Sequence, residues 1–148
     1  MTVVPNEWLV EMLKGTIKEC QKVHHFLDTV EAANILLAIR RKGRLTQKIL
    51  SAMSDPWGRA KRLRLLLFDS SRVRLVEEHE IGRLPSDLQP PIPDDDVYLV
   101  ETAYAVRPSR LVTTDRPLRD ILQRHADLEI SAQLLEEFLS GSFGNRVV

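Results

Sequence analysis

Apolar residues in this chain fall into two patterns. Val3-Val4 and Ile35–Ile39 are short apolar runs without polar alternation. Such runs are typical of strands buried on both faces of a parallel sheet, although the second also fits a turn of buried helix. From Ile17 to Val30 the apolar residues recur every three or four positions, which predicts an amphipathic helix to about residue 31 with Thr16 as its cap.

The remaining patterns alternate between helical and extended segments. Helical spacing predicts helices over 7–14, 45–53 and 59–68, with Leu63, Leu65, Leu66 and Leu67 of the last facing inward. Residues 72–76 alternate like a strand, and the acidic, Pro-rich residues 77–93 are the most loop-like part of the chain. Strands that alternate with helices predict an α/β fold with a parallel sheet covered by helices on both faces, and 148 residues suit a single domain over 1–148.

One stretch places acidic residues at both ends of such a unit. Asp94, Asp95 and Asp96 open an apolar helical segment that ends at Arg107-Pro108, since proline cannot extend a helix. A short extended run, Leu111–Thr114, then leads to Asp115. Open α/β sheets bind ligands beyond the carboxyl ends of their strands, and oxygen ligands suit Mg²⁺ or Mn²⁺. The alternative is that the triplet only caps the helix, with Asp94 as N-cap or first-turn acid.

This stretch resembles the C-terminal half of a PIN domain, the fold of many metal-dependent ribonucleases, including toxins of toxin–antitoxin pairs. The resemblance rests on Asp96, the apolar helix with Ala103 and Ala105, and the strand end Thr113-Thr114-Asp115. It implies a further helix, strand and closing helix, which 118–123, 128–130 and 134–139 fit. It also implies a three-layer fold whose five parallel strands take the order 3-2-1-4-5, with Asn6 and Glu7 meeting Asp115 at the switch point.

The resemblance is incomplete where the family carries its first two acids. Pro5 occupies the position of the first acid, with Glu7 two residues later, and the helical segment 42–53 contains no acidic residue. By this resemblance Asp96 and Asp115 bind Mg²⁺ or Mn²⁺ and are catalytic. Asp95 is a third catalytic residue, and Asp95 and Glu7 are further metal ligands. Thr113 orients Asp115, and Asn6 and Asp94 lie beside the site.

The net charge is zero, but its distribution is uneven. Residues 40–74 contain 11 basic and 2 acidic residues, whereas 75–103 contain 1 basic and 8 acidic residues. The basic segment suits binding of RNA phosphates, and the candidates are Arg40, Arg41, Lys42, Arg44, Arg59, Arg62 and Arg64. The alternative is that these residues form solvated helix faces and that the two segments neutralise each other in the fold.

Other chemistry has less support in the sequence. A single cysteine excludes an internal disulfide and favours a reducing compartment, and neither a signal peptide nor a membrane-spanning run is evident, which predicts a cytoplasmic protein. Cys20 and His24 are one helical turn apart, but without a further partner they fit a core cysteine and a surface histidine better than a zinc site. Trp8 fits either base stacking or the core.

Two hypotheses from different classes follow. The first is a PIN-like, divalent-metal-dependent ribonuclease that cleaves single-stranded RNA with an incomplete acidic site. The second is a catalytically inactive PIN-like module that binds RNA or a protein. RNA is the expected partner, with an antitoxin-like protein or a second copy of the chain as alternatives. A receiver-like phospho-acceptor domain fits less well, because it needs an early pair of acids that this chain lacks.

Overall fold

The structure is a computed structural model and describes residues 1–52, 58–86 and 92–141. Five strands form one parallel sheet in the order β3-β2-β1-β4-β5, which confirms the predicted fold class and strand order. The strands are β1 Thr2–Val4, β2 Leu36–Arg40, β3 Val73–Val76, β4 Ser109–Thr113 and β5 Ile130–Leu134. In the centre of the sheet, Val3 pairs with Leu37 on one side and Arg110 on the other, while Val4 pairs with Leu111.

Helices connect the strands, as parallel pairing requires. They are α1 Trp8–Leu13, α2 Ile17–Ala32, α3 Arg44–Ser51, α4 Lys61–Leu67, α5 Val97–Ala105, α6 Arg116–Gln123 and α7 Leu135–Leu139. Thr16 caps α2 through a reciprocal capping box with Glu19, because the Thr16 hydroxyl accepts from the Glu19 amide and the Glu19 carboxylate accepts from the Thr16 amide. Among the described residues, none of the helices is both long enough and apolar enough to cross a membrane.

The two faces of the sheet are buried by different helices. On one face Val3, Leu37 and Val112 belong to a core that also contains buried residues of α1, α2, α3, α4 and α7. On the other face Val4, Leu111 and strand residues of β5 pack against α5 and α6. Sequential strand residues alternate between the two cores, which explains the apolar runs Val3-Val4 and Leu36–Ile39.

Two details differ from the sequence-based predictions. Leu65, predicted to face inward, is 61% exposed, because the burial of α4 runs through Leu63 and Leu67 instead. The fifth strand begins at Ile130, since residues 126–128 form a 3-10 helix whose Leu128 is buried. The predicted end of α3 at Met53, and residues 87–91 of the predicted loop, lie outside the described residues.

Candidate functional site

The acidic residues follow the ends of neighbouring strands, at the point where the direction of strand connection reverses. β1 and β4 are neighbours in the sheet, and the chain turns away from β1 towards β2 but from β4 towards β5. Asn6 and Glu7 follow the carboxyl end of β1, and Asp115 follows that of β4. Such a switch point opens a crevice at the carboxyl edge of the sheet.

Asp115 is held in place by local hydrogen bonds. Its backbone amide donates to Oγ1 of Thr113 over 3.0 Å, and Thr113 is buried. Its Oδ1 accepts from the amide of Leu118 over 3.1 Å, so Asp115 is also the N-cap of α6, with Pro117 in the first turn. These contacts place the side chain at the junction of β4 and α6.

The Asp triplet forms a 3-10 turn, Asp94–Asp96, directly before α5. Asp96 occupies the N-cap position of α5, yet its side chain makes no capping hydrogen bond, and the 3-10 turn has no side-chain cap either. Capping therefore does not account for Asp96. Asp94 lies in the first turn of this 3-10 helix, where the positive end of the helix dipole favours its negative charge.

Asp96 lies in a negative environment. Burial raises the pKa of its carboxyl above the ordinary 3.8, and the charges of Asp115, Asp95 and Glu7 raise the pKa further. The guanidinium of Arg44 acts in the opposite direction. Charged residues that follow β1, begin α3, precede α5 and follow β4 therefore act on one carboxyl group.

Glu7 is neutralised by a cation from α3. Its carboxylate lies 3.1 Å from Nζ of Lys48, which also contacts Glu11 at 2.7 Å. Hydrogen bonds from Glu11 and Glu7 raise the pKa of Lys48 above its ordinary value, so the ammonium stays protonated. Lys48 lies on the helix that, by the PIN resemblance, carries an acid in the family.

Tyr98 completes the site and was missed by the sequence analysis, which treated it as part of an apolar helix. Its hydroxyl donates to Oδ1 of Asn6 over 3.3 Å, and its ring lies under the guanidinium of Arg44, 4.6 Å from the ring centroid. Arg40 lies 5.9 Å from the same centroid. Burial and the charge of Glu7 raise the pKa of the Tyr98 phenol above 10.0. The sequence signal was the position of Tyr98, two residues after Asp96.

The donor atoms at this edge suit a hard cation, but they are few. Within the described parts of the chain, no three or more His, Cys, Asp or Glu side chains are grouped so that they could hold a metal ion. Asp96, Asp115, Asp95 and Glu7 are therefore not gathered into one metal-binding group. A site with fewer carboxylates needs water or phosphate oxygens to complete the coordination of Mg²⁺.

Much of the basic segment is paired with acids of the same chain. Arg40 donates from Nε and Nη2 to the two carboxylate oxygens of Glu78 over 2.8 and 3.0 Å, and Arg41 donates to Glu77 over 2.7 Å. Arg62 joins α4 to α2 through Asp28 and Glu31 (2.8 and 3.2 Å) and also contacts His24. Lys42 is exposed in the turn before α3. Arg59, which precedes α4, and Arg64, which lies within α4, are half-buried.

Two side chains singled out by the sequence are structural. Trp8 is buried, donates from Nε1 to the carbonyl of Val112 over 2.9 Å, and packs edge-to-face on Phe26 at 5.0 Å. His24 contacts Arg62, so its nearest polar partner belongs to an interhelix cluster.

A groove lies at the opposite edge of the sheet, away from the acidic residues. This groove of about 580 Å³ is lined by residues at the amino ends of β1, β4 and β5, including Thr2, Ser109 and Ile130. A small cleft at the carboxyl edge is lined by residues that include Asn6, Arg44 and Tyr98. The charged groups that shift the pKa of Asp96 belong to this edge of the sheet and not to the groove. Comparison with protein-family models, curated proteins and solved structures found no match to this chain.

Proposed function

We propose that this chain is a PIN-like domain that binds Mg²⁺ or Mn²⁺ at Asp96 and Asp115 and cleaves single-stranded RNA. The observation that carries the proposal is the position of Asp96 at the switch point. Its carboxylate is half-buried and is acted on by the charge of Asp115, and neither N-capping nor an ion pair among the described residues accounts for it. Like charges held together in this way are costly without a cation, and such sites are frequently functional.

The available ligands suit an ion that uses few protein groups. Mg²⁺ is commonly bound through one or two carboxylates together with waters and substrate phosphates. Asp96 and Asp115 would supply the carboxylates, and Asp95 and Glu7 would contribute negative potential. When bound, such an ion stabilises charge on a phosphodiester and lowers the pKa of a coordinated water.

The other residues of the site position these two carboxylates. Thr113 holds the backbone of Asp115, and the α6 cap orients one of its oxygens. The Tyr98 hydroxyl joins α5 to Asn6 after β1, which ties together the two elements that flank the crevice. Lys48 neutralises Glu7, so the crevice carries less negative charge than its four acids would give it.

A second candidate function is RNA or protein binding without catalysis. Two contacts of α3 favour it. Nζ of Lys48 lies 3.1 Å from the carboxylate of Glu7, and the charge of the Arg44 guanidinium lowers the pKa of Asp96. In this arrangement cations of α3 neutralise acids that a metal ion would otherwise neutralise.

The test combines Mn²⁺ titration by calorimetry with cleavage of a labelled single-stranded RNA in Mn²⁺ and in EDTA. The variants are Asp96→Asn and Asp115→Asn, which keep side-chain size and remove charge. The matched control is Asp127→Asn, because Asp127 is exposed in the 3-10 helix at the opposite edge of the sheet.

The nuclease proposal expects metal-dependent cleavage that falls at least about a hundredfold in both site variants, a loss typical of a removed electrostatic group, and not in Asp127→Asn. Binding of RNA by the parent protein without cleavage and without Mn²⁺ binding would support the second candidate instead. Cleavage that persists in both Asn variants would place the chemistry elsewhere.

A further inference from the structure

Arg44 differs from the basic residues whose charges are neutralised inside the fold. Arg40, Arg41 and Arg62 each face a carboxylate within 3 Å. Arg44 makes no ion pair among the described residues, and its one polar contact there is a long hydrogen bond of 3.4 Å from Nη2 to the carbonyl of Asp95. Its guanidinium therefore keeps most of its five donors for another partner.

The position of Arg44 is defined although its side chain is exposed. Its guanidinium carbon lies 4.6 Å from the centroid of the Tyr98 ring, a distance at which the ring face attracts a cation. The ring is held in turn by the hydrogen bond of Tyr98 to Asn6. A planar fork stacked on a fixed ring loses less conformational freedom on binding than a free lysine would.

Arg44 also lies near Asp96, at the carboxyl edge of the sheet. The guanidinium lowers the pKa of Asp96, so its charge reaches that carboxyl group, and Arg44 lines the cleft with Asn6 and Tyr98. An anion that approaches Asp96 meets repulsion from the acids and attraction from Arg44. A phosphate is the anion that this fork recognises through two parallel N–H···O bonds.

We propose that Arg44 binds the RNA phosphate next to the carboxylate pair and that Tyr98 is the residue that positions it. This inference rests on the proposed function and narrows the seven basic candidates to one contact at the site. Arg40, Arg41 and Arg62 then have structural roles. Arg40 and Arg41 join the end of β2 to the segment after β3, and Arg62 joins α4 to α2.

The test measures affinity for a short labelled oligouridylate at several salt concentrations, in EDTA so that no cleavage occurs. Arg44→Ala should weaken binding about tenfold to a hundredfold, the loss expected for a charge-assisted hydrogen bond. It should also make the log–log salt slope shallower by about 0.7, one phosphate contact on a single strand.

The matched control is Arg107→Ala. Arg107 also stacks on a tyrosine, Tyr104, at 4.0 Å, and follows the far end of α5. Its loss changes the net charge equally and removes the same kind of cation–ring pair, so it should leave affinity and slope unchanged. Because both arginines are exposed, neither change should prevent folding.

Two further variants separate positioning from charge. Tyr98→Phe keeps the ring and should retain most of the affinity, whereas Tyr98→Leu removes the ring and should weaken binding while the salt slope stays that of the parent. An affinity and slope of Arg44→Ala equal to those of Arg107→Ala would overturn the inference, as would absence of binding by the parent at low salt. Mn²⁺ binding and cleavage are measured separately, so failure of the proposed function remains distinguishable.

Discussion

Replacement of Thr113 by valine tests how the fold places Asp115. Valine has the shape of threonine without the hydroxyl, so the Asp115 amide loses the acceptor that lies 3.0 Å away. Thr113 is only 2% exposed, which prevents water from taking the place of the hydroxyl on the buried side. The hydrogen bond is part-buried and Asp115 itself is exposed, so its loss should cost about 0.5–1.5 kcal/mol.

The expected loss is measurable by equilibrium urea unfolding and by thermal melting. We expect Thr113→Val to lower the free energy of unfolding by about 0.5–1.5 kcal/mol, with a fall in Tm of about 2–4 °C for each kcal/mol in a domain of this size. The control is Thr113→Ser, which keeps the hydroxyl and loses one methyl group, worth about 0.8 kcal/mol.

The same variant has a functional consequence. Because the amide of Asp115 is fixed through Thr113, its carboxylate should be less well placed in Thr113→Val, and Mn²⁺ affinity should fall while Thr113→Ser retains it. Unfolding free energies of the valine variant within about 0.5 kcal/mol of the parent, with unchanged Mn²⁺ affinity, would refute the reasoning.

Three further outcomes are expected. Lys48→Met removes the cation between Glu7 and Glu11. The free energy of unfolding should change by less than about 1 kcal/mol, and Mn²⁺ should bind more tightly in a calorimetric titration. Weaker Mn²⁺ binding would contradict the interpretation of Lys48. The raised pKa of Asp96 means that its stabilising contribution is present below the unfolded value near 3.8 and is lost as pH rises through the folded pKa. Asp96→Asn should therefore have a higher Tm than the parent at neutral pH, and the difference should shrink under acidic conditions; a difference independent of pH would exclude this cause. Trp8→Phe leaves the Val112 carbonyl without its donor and should cost about 1–3 kcal/mol of unfolding free energy, measured in urea.

The alternation of strands and helices could be predicted from the sequence because it depends on neighbours along the chain. Uninterrupted apolar strands such as Ile35–Ile39 need burial on both faces, which parallel sheets with helices on each side provide. Thr16 could be predicted as a cap since its partner Glu19 is three residues away. The junction of Asp115 with β4 and α6 is equally local, as the contacts to Thr113 and Leu118 span two and three residues.

The partners of the charged groups were decided by the tertiary structure. Arg40 and Glu78 are 38 residues apart, and Lys48 and Glu11 are 37 apart, so periodicity within a helix or strand contains no information about either pair. The sequence analysis left open whether the basic segment binds phosphates or is neutralised within the fold, and the structure shows neutralisation for some of these arginines but not for Arg44. Arg40 is neutralised, whereas Arg44 is presented on Tyr98.

The same distinction applies to the candidate site. Acidic residues after a strand and before a helix could be recognised from the sequence, since each position follows from local pattern. Whether Asp96 caps its helix or responds to the charge of Asp115, and whether Glu7 is available or bound by Lys48, depends on which helix packs over which strand end. Electrostatic energies vary with distance and burial, and both quantities exist only once the sheet has brought β1, β4 and α3 together.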